Sequence, residues 1–153
     1  MSTTLAPIPT HLPHCTLRPW REGDQDALVR HANNRAVWRN LTDLFPHPYT
    51  RADADAWVVV ANQEARSLHL AIALEDEVIG GIGAIAGSGI AVATADFGYW
   101  LGEALWGSGL ANAAALAFKD HLLRTGRFAR LQAGVFAWNP ASMRVLEKAS
   151  FVR

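Results

Sequence analysis

With 153 residues, half of them apolar, the chain has material for one full hydrophobic core and too little for two ordinary domains, which excludes both a disordered segment and a multidomain assembly. Fourteen Lys and Arg residues balance fourteen Asp and Glu residues, and no basic run follows the chain, so the electrostatic footprint of a nucleic-acid partner is absent. Cys15 is the only cysteine; it permits no intrachain disulfide and points to a reducing, cytoplasmic setting.

Residues 1–15 lack the apolar stretch of a signal peptide and carry Pro9, His11, Pro13 and His14, the composition of a mobile arm. A single domain is expected over residues 16–153. Thr16-Leu17-Arg18-Pro19-Trp20 reads as a first strand. Asp24 then stands where an N-cap belongs, ahead of Ala27, Leu28, His31 and Ala32 at helical spacing. Residues 33–49 read as a short helix or loop, and Thr50-Arg51-Ala52-Asp53 as a capping box opening a helix that reaches about residue 65.

From His69 the texture is that of strands: residues 69–74, an acidic turn at Glu75-Asp76-Glu77, and residues 78–86 form a hairpin pattern. Residues 78–95 contain no charge and are long enough to imitate a membrane span. Their five glycines and the Gly87-Ser88-Gly89 break favour two strands and a turn instead, so no membrane partner is expected. Residues 94–101 form the next strand. Leu110, Ala113, Ala114, Ala117, Phe118 and His121 share one face of a long helix, residues 131–137 form another strand, and Asn139-Pro140 starts a last helix. The predicted order is βααβββαβα, with a strand, helix, strand crossover that makes its two flanking strands parallel.

Within that crossover, a glycine turn running from Trp106 through Ala111 into a helix can present backbone N–H groups to a phosphate at the positive end of the helix dipole. Gly98-Tyr99-Trp100-Leu101, then Trp106-Gly107-Ser108-Gly109-Leu110-Ala111, then Asn139-Pro140-Ala141-Ser142 through Phe151 resemble the GNAT superfamily of acetyltransferases, and most of all its branch acting on ribosomal-protein amino termini. The likeness runs from Leu17 onward. It implies an α/β fold with a mixed, mostly antiparallel sheet flanked by helices, and acetyl-CoA as cosubstrate. By the same resemblance, Trp100 and Leu101 would meet the pantetheine arm and thioester, Trp106, Gly107, Ser108, Gly109, Leu110 and Ala111 would surround the pyrophosphate, and Asn139 and Ser142 would lie near the pantetheine and thiol.

The sequence departs from the family pattern in three places. Ser108 stands where a long polar side chain is common, Ser150 replaces a glycine, and two further strands of the family fold do not follow Arg153, so a truncated form or completion by a partner chain in a homodimer is expected.

Acetyl transfer to an amine needs a neutral amine and a protonated leaving sulfur. Asp96, on the strand before the glycine turn, is the base expected for the first task, the alternative being a solvated strand residue. Ser142 is the expected proton donor for the second, the alternative being a helix-start residue bonded locally. Trp38, Phe45 and Tyr49 are expected to line the acceptor site, with ordinary core packing as the alternative for Trp38; His31 and His47 could approach it. His121 is expected in the core. Six scattered histidines and one cysteine give no metal-ligand spacing, so no metal is expected. The resulting expectation is an N-acetyltransferase acting on a protein N-terminus or a small amine; a non-catalytic acyl-CoA-binding module acting through dimerisation is the rival reading.

Overall fold

The computed structural model describes residues 5–39, 45–63, 67–87, 93–126, 128–133, 140–149 and 151, with the backbone alone for residues 140–143. Strands β1 (Ile8–Pro9), β2 (Cys15–Pro19), β3 (Leu68–Leu74), β4 (Glu77–Ala86), β5 (Thr94–Leu101) and β6 (Arg130–Gln132) form one sheet in chain order. Every neighbouring pair is antiparallel except β5 and β6, the pair joined by the helical crossover. Ile8 pairs with Leu17 and is buried, so the stretch expected to be a mobile arm supplies the edge strand of the sheet.

The β3–β4 hairpin turns on two residues, Glu75 and Asp76, both with positive φ (49° and 70°) between the paired Leu74 and Glu77. Two successive left-handed residues match the right-handed twist of the flanking strands. Asp76 also anchors the turn: its carboxylate accepts from Arg18 Nε at 2.9 Å and pairs with Arg21.

Helix α1 (Gln25–Ala32) begins after Asp24, but Asp24 does not cap it. Its carboxylate takes both Arg18 Nη1 and Nη2, at 3.0 and 2.8 Å, and the Arg21 N–H at 2.9 Å. Arg18 is 3 % exposed, and a buried guanidinium claims a carboxylate more strongly than a helix terminus does. Helix α2 (Arg35–Trp38) is capped by the Asn34 side chain. In α3 (Arg51–Val60) the Thr50–Asp53 capping box forms as expected, and the helix ends at Val60, five residues before the predicted boundary.

Strand alternation sends two sets of side chains to opposite faces. On one face Leu17, Leu70, Ile72, Ile82, Phe97 and Leu101 pack against α4 (Leu110–Arg124) through Leu110, Ala114, Phe118 and Leu122. The small residues of α4 let it lie close to the sheet. His121, expected in that core, is only half-buried, while Leu122 is fully buried. Helix α5 (Pro140–Lys148) joins this face: Lys119 Nζ donates to the Ala149 carbonyl at 2.6 Å and Phe151 lies against Phe97. On the other face Trp20, Ala71 and Val78 are covered by α1 and α3 through Leu28, Ala32, Ala54 and Val58.

Candidate functional site

The two edges of β5 face different surroundings. The Gly102 N–H donates to the Ile79 carbonyl of β4 at 2.8 Å, and the Trp100 carbonyl is also turned to β4, where it would be 2.3 Å from a Cβ on Gly80. Backbone groups alternate sides along a strand, so Tyr99 and Leu101 present their N–H and C=O groups away from β4. Trp106 marks that outer edge, since its Nε1 donates to the Leu101 carbonyl at 2.8 Å. Among the described residues β6 pairs with β5 from Thr94 to Asp96.

This geometry corrects the expectation for Trp100. Its backbone faces β4 and its indole lies on the α1/α3 face; Tyr99, not singled out from the sequence, takes the register position beside Leu101. Alternation from the Gly80–Leu101 pair would have identified it.

The glycine turn follows directly. A 3-10 turn (Glu103–Leu105) leads into Trp106, and Gly107 and Gly109 adopt φ of 76° and 83°, a left-handed conformation that side chains with a Cβ resist. A Cβ on either glycine would meet no described atom within 4 Å. Gly109 is the N-cap of the fifteen-residue α4 and supplies no side-chain cap, which leaves the helix N-terminus to an external anion. Ser108 serves the turn itself: its hydroxyl donates to the Leu105 carbonyl and lies 3.4 Å from the Leu110 N–H. Leu110 buries its side chain in the core and Ala111 packs against it, so each can offer a bound anion only backbone.

On the opposite side of β5, Phe45, Tyr49 and Trp100 come together, with ring centroids 5.3 Å apart for Phe45–Tyr49 and 5.9 Å for Phe45–Trp100. Burial pushes the Tyr49 hydroxyl up, with the Asp53 charge adding to it, so it stays protonated. Trp38 stacks on His47 at 5.0 Å. Asp96 lies on the same face, exposed, and its carboxylate accepts from Gln132 Nε2 at 2.7 Å. Gly98 lies two positions further on, about 7 Å along the strand, and the outer edge at Tyr99 is about 10 Å away.

His31 sits over the end of β5, where a Cβ on Gly102 would be 2.3 Å from its Nδ1. Burial lowers its pKa, Arg30 lowers it further and Glu77 opposes them, so the ring is neutral at neutral pH. Asn139 lies outside the described residues. Ser142 falls on the first turns of α5, where the backbone alone is described. Among the described residues no group of three His, Cys, Asp or Glu side chains could hold a metal, and no helix is long and apolar enough to cross a membrane.

A strand edge that leads into a glycine-turned helix N-terminus suits a phosphate-bearing ligand extended along that edge. Residues 14–152 match the family model described as an acetyltransferase (GNAT) domain, and the chain belongs to that family. It is an acyltransferase by that membership. RimJ from Mycobacterium smegmatis, solved in complex with CoA-disulfide, is 25% identical with a TM-score of 0.78 over 95% of this chain and 73% of its own. RimL, a ribosomal L7/L12 alpha-N-protein acetyltransferase solved with coenzyme A, shares the fold at 23% identity and a TM-score of 0.83, over 96% of this chain and 84% of its own. An acetyl transferase from Salmonella typhimurium that modifies the N-terminal serine of L7/L12 shares it at 24% identity and a TM-score of 0.77, over 96% and 85%. Among proteins of curated function no sequence match was found.

Proposed function

We propose that this chain transfers the acetyl group of acetyl-CoA directly to the primary amine of a protein N-terminus or a small molecule. The observation that carries the reading is the continuity of two features: the outer edge of β5 at Tyr99 and Leu101 runs straight into the turn at Gly107 and Gly109 that opens α4. A cosubstrate with a diphosphate and an amide-bearing arm needs both, in that order.

In this reading the backbone of residues 107–111 holds the diphosphate, and the outward groups of Tyr99 and the outward N–H of Leu101 take the amides of the arm, the Leu101 carbonyl being held by Trp106. Asn139 and Ser142 lie near the thioester by resemblance to the family. The cosubstrate supplies an activated acyl carbon. Asp96 accepts the proton of the incoming ammonium through water, because its carboxylate is too far from the Tyr99 edge for direct transfer. The C–N bond forms as the C–S bond breaks, and the sulfur takes a proton, for which Ser142 is the proposed donor. Phe45, Tyr49 and Trp100 flank the acceptor.

Release of free CoA thiol, followed with acetyl-CoA and a panel of peptide and small primary amines, tests the reading. Amine-dependent release is expected. Tight CoA binding with no release on any amine would favour the non-catalytic alternative.

A further inference from the structure

Helix α1 ends in a corner, residues 31–34, that touches three other segments. The His31 ring is seated on Gly102: a Cβ there would lie 2.3 Å from its Nδ1 and 2.9 Å from its Cγ, so only glycine admits the contact. Asn33 Oδ1 accepts the Tyr49 N–H at 3.0 Å. Asn34 uses both ends of its amide. Its Oδ1 accepts from the Ala36 and Val37 N–H groups at 2.8 and 3.2 Å, capping α2, and its Nδ2 donates to Glu103 Oε1 at 3.1 Å. The cap settles which end of the amide is oxygen, and so directs the donor at Glu103.

Glu103 opens the turn that leads to the proposed diphosphate site. Its carbonyl accepts the Trp106 N–H at 3.1 Å, one residue before Gly107, while its side chain reaches Asn34. On the far side of the corner, α2 has only four residues, too few to persist without its cap and the burial of Val37. Trp38, the last residue of α2, stacks on His47, which stands between Phe45 and Tyr49 in the chain. The wall at Phe45, Tyr49 and Trp100 is therefore held from the corner at two points, the Asn33–Tyr49 bond and the Trp38–His47 stack. The Asn34–Glu103 bond is exposed and competes with water, so its occupancy depends on how steadily the turn is held.

Resting on the acetyl-transfer reading above, we propose that Asn34 is a positioning residue through which occupancy of the glycine turn sets the acceptor wall. CoA on residues 107–111 stills the turn and raises the occupancy of the Glu103–Asn34 bond. The fixed amide keeps α2 capped, and α2 together with Asn33 keeps His47 and Tyr49 in place for the amine. Capped or frayed, α2 is the two-state element that both sites bias. Such coupling is reciprocal, so amine binding tightens CoA by the same factor.

The test follows amide hydrogen exchange at Ala36, Val37 and Tyr49, with and without saturating CoA, in the parent, Asn34→Asp and the double variant Asn34→Asp/Glu103→Gln, with CoA binding checked by calorimetry. Asp caps a helix as well as Asn does but cannot donate to Glu103, whereas the double variant restores the bond with donor and acceptor exchanged. In the parent, CoA is expected to slow exchange about fivefold or more, the lower end of ordinary coupling. Asn34→Asp loses the slowing with CoA bound and raises the amine KM about five- to tenfold. The double variant recovers both. No slowing in the parent with CoA bound, the same slowing in Asn34→Asp, or a double variant no better than the single one overturns the tie. Should Asn34→Asp not fold, Glu103→Ala takes its place, and slowing that persists there overturns it. If CoA does not bind the parent, the cosubstrate reading falls and the tie with it. Slowing that appears and is lost as expected, with no amine consuming acetyl-CoA, overturns acetyl transfer alone.

Discussion

The indole of Trp106 donates its Nε1–H to the carbonyl of Leu101 at 2.8 Å, tying the last residue of β5 to the first of the glycine turn. The bond spans five residues and fixes the strand edge relative to the start of α4. The two halves of the proposed cosubstrate site are thereby held at one spacing. Trp106 remains 46% exposed, so its ring is within reach of whatever occupies the turn.

Removing that donor while keeping an aromatic ring, in Trp106→Phe, is expected to weaken CoA binding about five- to tenfold, the worth of one neutral hydrogen bond. Unfolding free energy should change by only about 1 kcal/mol. Calorimetric titration with CoA and urea unfolding check the two expectations; equal CoA affinity in the variant would show that the tie does not organise the site.

Gly109→Val is expected to abolish measurable CoA binding in a chain that still folds. Gly109 holds φ of 83°, where a β-branched residue is strained, and its missing Cβ leaves the approach to the α4 N-terminus open. Thermal unfolding and calorimetry together separate loss of the site from loss of the fold. Unchanged affinity in the folded variant contradicts placement of the diphosphate at this turn.

Asp96→Asn keeps an oxygen for Gln132 Nε2 and removes the capacity to take a proton. Turnover is expected to drop by at least tenfold, within reach of the about 10²–10⁴ contributed by general bases. CoA affinity should hold, and the deficit should shrink as rising pH frees the amine. A variant whose pH–rate profile overlays that of the parent would remove Asp96 from the proton path.

His31 makes stability depend on pH in a defined direction. Burial, aided by Arg30, holds its folded pKa below the ordinary value of 6.5, so as pH falls through about 6.5 the unfolded chain takes up the proton first. Stability is therefore lost toward acid. Urea unfolding at about pH 7.5 and about pH 5.5 should show a smaller loss in His31→Gln than in the parent. Identical pH dependence in the two would mean that the ring is not held neutral against Gly102.

Local patterns in the sequence determine most of the elements here. The Thr50–Asp53 capping box, the strand at Thr94–Leu101 and the start of α4 after Gly109 follow from neighbouring residues alone, because capping, alternation and left-handed glycine turns are set by atoms close in the chain. The spacing of the glycine turn and the Asn139-Pro140 segment likewise carries the family resemblance that residues 14–152 bear out.

Other features required the fold. Asp24 has the sequence position of a helix cap, yet Arg18 takes its carboxylate, because a guanidinium buried by β3 and β4 must be neutralised by the nearest acid. Ile8 joins the sheet through Leu17, a pairing no local pattern announces. Trp100 and Tyr99 turn their backbone groups to opposite edges of β5, and which edge meets β4 is decided by the Gly80–Leu101 register. The packing of Trp20 and Trp100 on Gly81 and the seat of His31 over Gly102 join residues up to 80 positions apart. Such juxtapositions come from sheet order and register, which long-range packing sets and residue spacing does not encode.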